Sequence, residues 1–433
     1  MLVINYTVSY RSVPKILKIL RPHAEFLEKI KIPHFTTVIR WVCRIGYYLL
    51  TRSNKKVCST NKPWICIADH TIQVGTNKAF VVIGVPSKVM NSGKAVQLKD
   101  VVALAISVKK SWTGNEVSKV IKKVFNRNGL PSQIVIDGAH NLNNGIRQAI
   151  EEMEGNCHIT YDITHLLANL MKKKYNCSVR FLEMLEKLSF TSKQITQTEI
   201  GYLLPPKLRE KSRFLNLPNL ANWLGKILDI QKSDTLTSKE RRQIKKYFGW
   251  IWKPEWESYI RELYGEITTI KDIQKILKNT GINDFSYKKA CSKLSKIDDD
   301  KFASNIMAAL SVELEYKNKI GFPLLLTSDI IESLFGKYKT IAKPHRLSEI
   351  NKSVLSIPLI CEDLKQSLVD KAFFKATVND VDKWKRNNIP VTLLSRKKIV
   401  LGCKKNSVDA SIYSKVLKND SIFKYSGQKI GVI

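Results

Sequence analysis

The sequence predicts an α/β protein: a mixed sheet whose chain is interrupted by a long all-helical insertion and preceded by a small helical region. Two observations carry this. Short apolar, β-branched runs at 64–69, 78–85, 101–108, 133–137 and 157–161 read as strands, with helical spacing between the later ones. From 162 to about 320 strand signals nearly vanish, and leucines recur at helical spacing instead.

At 433 residues the chain has room for two or three domains, and 44% hydrophobic residues make it globular. Seventy-two Lys and Arg against 38 Asp and Glu leave a formal charge of +34. That surplus favours a polyanionic partner, most plausibly nucleic acid held through its phosphates; a basic, soluble protein without such a partner is the plain alternative. The eight cysteines contain no C-x-x-C pair and read as reduced thiols. No apolar stretch suits a membrane span or a signal core, so the expected location is cytoplasmic, nucleoid-associated in a bacterium.

The expected segments are a helix-turn-helix-like region at 1–60, a first core part at 61–161, the helical insertion at 162–320, a last core part at 321–380 and a basic region at 381–433. In the first, Val13, Ile16, Leu17 and Leu20 share a helix face and Pro22 ends that helix. A second helix starts near Thr36, capped by Thr36 or Thr37, with Val38, Trp41, Val42 and Ile45 inward and Arg40 and Arg44 outward. This suits a recognition helix offered to a major groove, and a plain helical pair fits the pattern equally well.

In the core, Gly114 and Asn115 open a helix striped by Val117, Val120, Ile121, Val124 and Phe125, and Asn128-Gly129 closes it. Three strands, a helix, a strand, a helix and a strand is the element order of a ribonuclease H-like core. Within the insertion, Thr237 and Glu240 form a capping box, while Trp223, Trp250, Trp252 and Trp256 read as core anchors.

The chemistry-bearing residues interrupt these elements. Asp69 breaks the apolar run ICIA, and Asp137 follows IVI where that strand runs out. The carboxyl ends of strands in an α/β sheet are where sites collect, and an inward carboxylate needs something to stabilise its charge, commonly a metal ion. A simple Asp-Gly turn is the alternative at Asp137. Asp162 and His165 stand where the last core strand gives way to the insertion. Glu332 follows Thr327-Ser328-Asp329 at a helix start, and its spacing from Asp329 is also that of a capping box.

Taken together, ICIADHT, IVIDGAHN, YDITHLLAN and SDIIESLFGKYK resemble the DDE transposases of insertion sequences, mobile elements whose enzymes have a ribonuclease H-like core. The long separation of Asp137 from Glu332 resembles the subgroup with an all-helical insertion before the Glu. Asp162-x-x-His165 is similar to the C/D-x-x-H signature of hAT-like, Mutator-like and P element-like transposases. The resemblance spans roughly 64–345; it lacks the zinc-binding finger that often precedes such cores.

That resemblance implies a catalytic and metal-binding triad of Asp69, Asp137 and Glu332. Two Mg²⁺ ions would be held there, replaceable by Mn²⁺, with Asp69 bridging both. Water cuts the transposon end, and the freed 3′-hydroxyl then joins target DNA. Asp162 and His165 become candidates for active-site support; a hydrogen-bonded helix-start histidine is the alternative for His165. Lys337 and Lys339, with Arg40 and Arg44, become candidate DNA contacts. The implied partners are double-stranded DNA, as transposon ends and target, and further copies of the chain in a dimer or higher oligomer. A hydrolytic nuclease on the same core and a non-catalytic DNA-binding descendant are the rival readings. Should Glu332 serve only as a cap, Glu313 and Glu315 are the next candidates for the third carboxylate.

Overall fold

The computed structural model describes residues 1–52, 57, 63–208, 213–342 and 348–401. Four helices come first: α1 (Leu2–Tyr6), α2 (Ser12–Leu20), α3 (Glu25–Glu28) and α4 (Phe35–Thr51). The core sheet follows in the expected order, β1 (Trp64–Val74), β2 (Asn77–Pro86), β3 (Val102–Lys109), α5 (Gly114–Asn128), β4 (Gln133–Ile136), α6 (His140–Glu151) and β5 (His158–Tyr161). Its five strands lie in the order β3-β2-β1-β4-β5. The first three are antiparallel, while β4 and β5 run parallel to β1.

The period-two alternation of these strands sorts their side chains onto two faces. Trp64, Cys66, Ala68, Phe80, Val82, Ile134 and Ile136 pack with α5 and α6 on one face. Ile65, Ile67, Val81, Ile83 and Val135 point to the other. That second face is covered from both ends of the chain, by Val38, Val42 and Ile45 of α4 and by helices that follow the insertion.

The insertion is helical throughout the described residues: α7 (Ile163–Tyr175), α8 (Val179–Ile195), α9 (Leu217–Asp229), α10 (Ser238–Phe248), α11 (Pro254–Thr280), α12 (Asp284–Leu294) and α13 (Asp300–Ile320). These helices share a hydrophobic core of their own. Trp256 is buried in it, and Trp223, Trp250 and Trp252 pack against it, the last two donating their indole N–H to Thr191 Oγ1 and the Leu228 carbonyl. The Thr237–Glu240 capping box is formed. After the insertion come α14 (Asp329–Ala342), α15 (Ile357–Ile360), α16 (Gln366–Lys375), α17 (Val378–Asn388) and α18 (Leu393–Val400). Most of the basic region expected at 381–433 lies outside the described residues.

The N-terminal region departs from expectation in its details. Helix α4 starts at Phe35 after His34, and Thr36 Oγ1 bonds the His34 ring at 2.9 Å instead of capping. Trp41 is not inward; it is 40% exposed and meets Phe373 edge-on. Nor does Arg44 stand outside. It donates to the carbonyls of Ala376 and Phe373, both at 2.8 Å, with its guanidinium over the Phe373 ring. Those carbonyls end α16, where backbone acceptors lack helical partners and the helix dipole favours a cation. Helix α4 is thus packed beneath α15, α16 and α17. It is part of the core, and removing 1–60 would bare a face of the sheet.

The entry to α14 is fixed by a fully buried glutamine at the start of β4. Gln133 Nε2 donates to the Leu325 carbonyl and to Thr160 Oγ1, both at 2.7 Å, and Gln133 Oε1 accepts from the Leu325 N–H at 3.1 Å. Replacing Gln133 with Ala is expected to cost about 2–3 kcal/mol, because buried backbone groups of Leu325 lose their partner. Urea denaturation measures this, and a change below about 0.5 kcal/mol would mean the segment is held elsewhere.

Candidate functional site at the carboxyl edge of the sheet

The pairing of β1 with β4 runs Ile65–Gln133, Cys66–Ile134 and Ile67–Val135. Continuing that register by two residues brings Asp69 alongside Asp137. Both share the parity of Ile67 and Val135, the face that α14 covers. Asp69 is buried and Asp137 half-buried. Strand β1 does not end at Asp69, as its sequence pattern suggests. It continues to Val74 against β2 through a bulge between Asp69 and Ile72, a device that re-aims side chains beside sites.

Local backbone holds both carboxylates. The His70 N–H donates to Asp69 Oδ1 at 2.5 Å, and the Ala139 N–H donates to Asp137 Oδ1 at 2.9 Å. Gly138, between Asp137 and Ala139, takes φ 84°, which only glycine adopts freely. The two aspartates also share a neighbour. Burial pushes the His70 imidazole down, the Asp137 carboxylate pulls it back up, and Lys78 pushes it down again. His140 contacts Asn144 on α6 and faces solvent.

Asp162 reaches the same edge from β5. Its N–H donates to the Ile136 carbonyl at 2.8 Å, carrying the β4–β5 ladder one residue beyond Tyr161. Its carboxylate is buried and fully engaged. Oδ1 accepts from the N–H groups of Thr164 (2.8 Å) and His165 (3.2 Å), capping α7, while Oδ2 accepts from the Ser328 N–H (2.7 Å) and Oγ (3.0 Å). One side chain therefore ties the start of the insertion to the start of α14. The Ile163 N–H strengthens the join by donating to the Leu326 carbonyl at 2.8 Å.

Glu332 lies in the first turn of α14. The capping-box alternative leaves Asp329 as its partner, but the Asp329 N–H donates to Thr327 Oγ1 and the Asp329 carboxylate pairs with Lys278 of α11 at 2.7 Å. The Glu332 side chain reaches solvent, yet partial burial pushes its carboxyl up, as do the nearby Asp329 and Asp162; His165 and Lys278 pull it down. His165 is thus a neighbour of Glu332. Lys337 is half-buried and Lys339 exposed further along α14, and Arg40 is exposed on α4. Glu313 is already engaged on β5, where its Oε2 pairs with His158 at 2.8 Å and accepts from Thr160 Oγ1 at 2.9 Å. Sequence reasoning misses Lys278 and the bonding roles of Ser328 and Gln133; Ser328 shows only as part of a helix start, and Gln133 only as a polar residue opening an apolar run.

A carboxyl raised in the folded chain contributes stability below its ordinary value of 4.5 and loses it as pH rises through the raised value. Glu332→Gln is therefore expected to melt higher than the parent chain near pH 7.5 and level with it near pH 4. A lower melting temperature at pH 7.5 would show that the ionised carboxylate makes a stabilising contact.

Mg²⁺ takes carboxylate and water oxygens, and the Asp69–Asp137 pair offers such donors from two rigid strands. Among the described residues, however, no three His, Cys, Asp or Glu side chains gather closely enough to hold a metal ion. The register of β1 on β4 sets Asp69 alongside Asp137, and Glu332 has Asp162 and His165 as charged neighbours. Among the described residues no helix is long and apolar enough to cross a membrane.

No protein-family model matches the chain, and no curated protein matches it. Among solved structures, it is similar to the Drosophila P element transposase strand transfer complex, with 11% identity, a TM-score of 0.38, and coverage of 83% of this chain and 93% of that one.

Proposed function

We propose that this chain is a DNA transposase on a ribonuclease H-like core, cutting transposon ends by metal-assisted hydrolysis and joining the freed 3′-hydroxyl to target DNA. The observation that carries the reading is the register of β1 on β4, which runs to Ile67–Val135 and, carried on two residues, sets Asp69 alongside Asp137 on the face that α14 covers. The element order, three antiparallel strands followed by two helix-linked parallel ones, supports the same core. The charge of +34 supports a polyanionic substrate.

In this reading Asp69, Asp137 and Glu332 would hold two Mg²⁺ ions. The ions supply charge for the attacking and leaving oxygens of the phosphodiester. The protein's own part is orientation: the backbone N–H groups of His70 and Ala139 each donate to one oxygen of an aspartate, Asp69 and Asp137 in turn. Asp162 fixes the start of the helix that carries Glu332. His165, beside Glu332, favours its ionised form. Lys337, Lys339 and Arg40 are proposed as phosphate contacts. Arg44 has its donors committed to α16.

A second reading is a non-catalytic DNA-binding protein, in which the three carboxylates are not assembled around an ion; among the described residues no three His, Cys, Asp or Glu side chains gather to hold one. Incubating the full chain with Mg²⁺, a duplex carrying a labelled 3′ end and a plasmid target separates the readings. Label joined to the plasmid is the expected result. Cutting without joining indicates a nuclease, and binding without either supports the non-catalytic protein.

A further inference from the structure

Between α11 and the start of α14 runs a groove of about 520 Å³ that the site described above does not use. Lys271, Gln274, Lys275 and Lys278 of α11 line it, together with Val96 of the β2–β3 connection and Asp329 and Ile330 of α14. The groove abuts the candidate site, because Asp329 and Ile330 open the helix turn that holds Glu332, and Gln274 Nε2 bonds Thr164 Oγ1 at 2.9 Å next to His165.

Its charge is not balanced. Both carboxylates in the lining are already taken, Asp272 by Lys293 and Asp329 by Lys278, each at 2.7 Å. Lys271 and Lys275 are exposed, and among the described residues neither forms an ion pair. They stand one turn apart on the same face of α11, about 6 Å along its axis. Like charges so placed repel by a few tenths of a kcal/mol, a cost that an anion in the groove offsets. With these two unpaired lysines on its exposed lining, the groove suits a polyanion lying along it.

We propose that this groove is a phosphate track, in which Lys271 and Lys275 bind the backbone of a DNA duplex leading into the sheet edge. The assignment rests on the DNA-processing reading above.

The test uses the full chain and a fluorescein-labelled duplex, titrated by anisotropy in EDTA across a range of salt. The double variant Lys271→Gln/Lys275→Gln is expected to bind about tenfold more weakly at moderate salt, with the slope of log K against log salt shallower by about 1.8, at about 0.9 for each phosphate no longer neutralised. Lys271→Arg/Lys275→Arg, which keeps the charge, is expected to match the parent chain. An unchanged slope in the Gln pair, or an equal loss in the Arg pair, overturns the proposal. Strand cleavage with Mg²⁺ is read separately. If the slope falls but no strand is cut, the transposase reading fails and the phosphate track stands. If strands are cut and the slope is unchanged, the track alone fails, and a parent chain that does not bind the duplex overturns both.

Discussion

Asp137→Asn is expected to lower Mg²⁺-dependent cleavage of a transposon-end duplex by at least about a thousandfold, roughly 4 kcal/mol of transition-state stabilisation. Asp69→Asn is expected to match it. An amide keeps the shape and one accepting oxygen, so the Ala139 and His70 N–H bonds survive, but it lacks the charge that holds a divalent ion. Binding to the same duplex should stay within about twofold, since neither substitution removes a positive charge. Glu332→Gln is expected to follow the aspartates in cleavage. Near-normal cleavage by Glu332→Gln alone would reduce it to a helix-start residue, leaving Glu315 as the next candidate, since the Glu313 carboxylate is engaged by His158 and Thr160.

Asp162→Ala has the largest expected effect on stability, a loss of about 3–4 kcal/mol. The change removes the cap of α7, typically worth about 1 kcal/mol, and strands the buried N–H and hydroxyl of Ser328, at about 1–3 kcal/mol. Against a typical domain stability of roughly 5–15 kcal/mol, this should show as a large fall in melting temperature. Asp162→Asn should fall between the two, because its oxygen can still cap α7 while its NH₂ opposes the Ser328 donors. Cleavage per folded molecule should drop far less than for Asp137→Asn. A melting temperature near the parent's combined with a hundredfold loss of cleavage would contradict this, and would return Asp162 to direct contact with the reacting groups.

How much of the fold and the site is legible in the sequence varies with distance along the chain. The strands are legible because their side chains alternate locally between two buried faces, and Asp69, Asp137 and Asp162 are legible as interruptions or exits of those runs. The continuation of β1 past Asp69 is not, because it depends on pairing with β2 and not on its own pattern. The amphipathic face of α4 is legible, but nothing local to it says what covers that face. Arg44 looks like any outward arginine until Ala376, 332 residues later, supplies its acceptor. Asp162 announces itself at a strand exit, yet the donor that defines its role, Ser328, lies 166 residues away. The same long reach hides Lys278, whose partner Asp329 belongs to a different segment of the fold.

The proposed chemistry depends above all on the aspartate pair as the holder of the metal. Mn²⁺ binding by the full chain in the presence of a transposon-end duplex, followed by the loss of the free-ion electron paramagnetic resonance signal, tests this directly. The expected result is saturable binding in the parent chain that disappears in both Asp69→Asn and Asp137→Asn while the duplex remains bound. Mn²⁺ binding of equal stoichiometry and affinity in all three proteins would contradict the assignment.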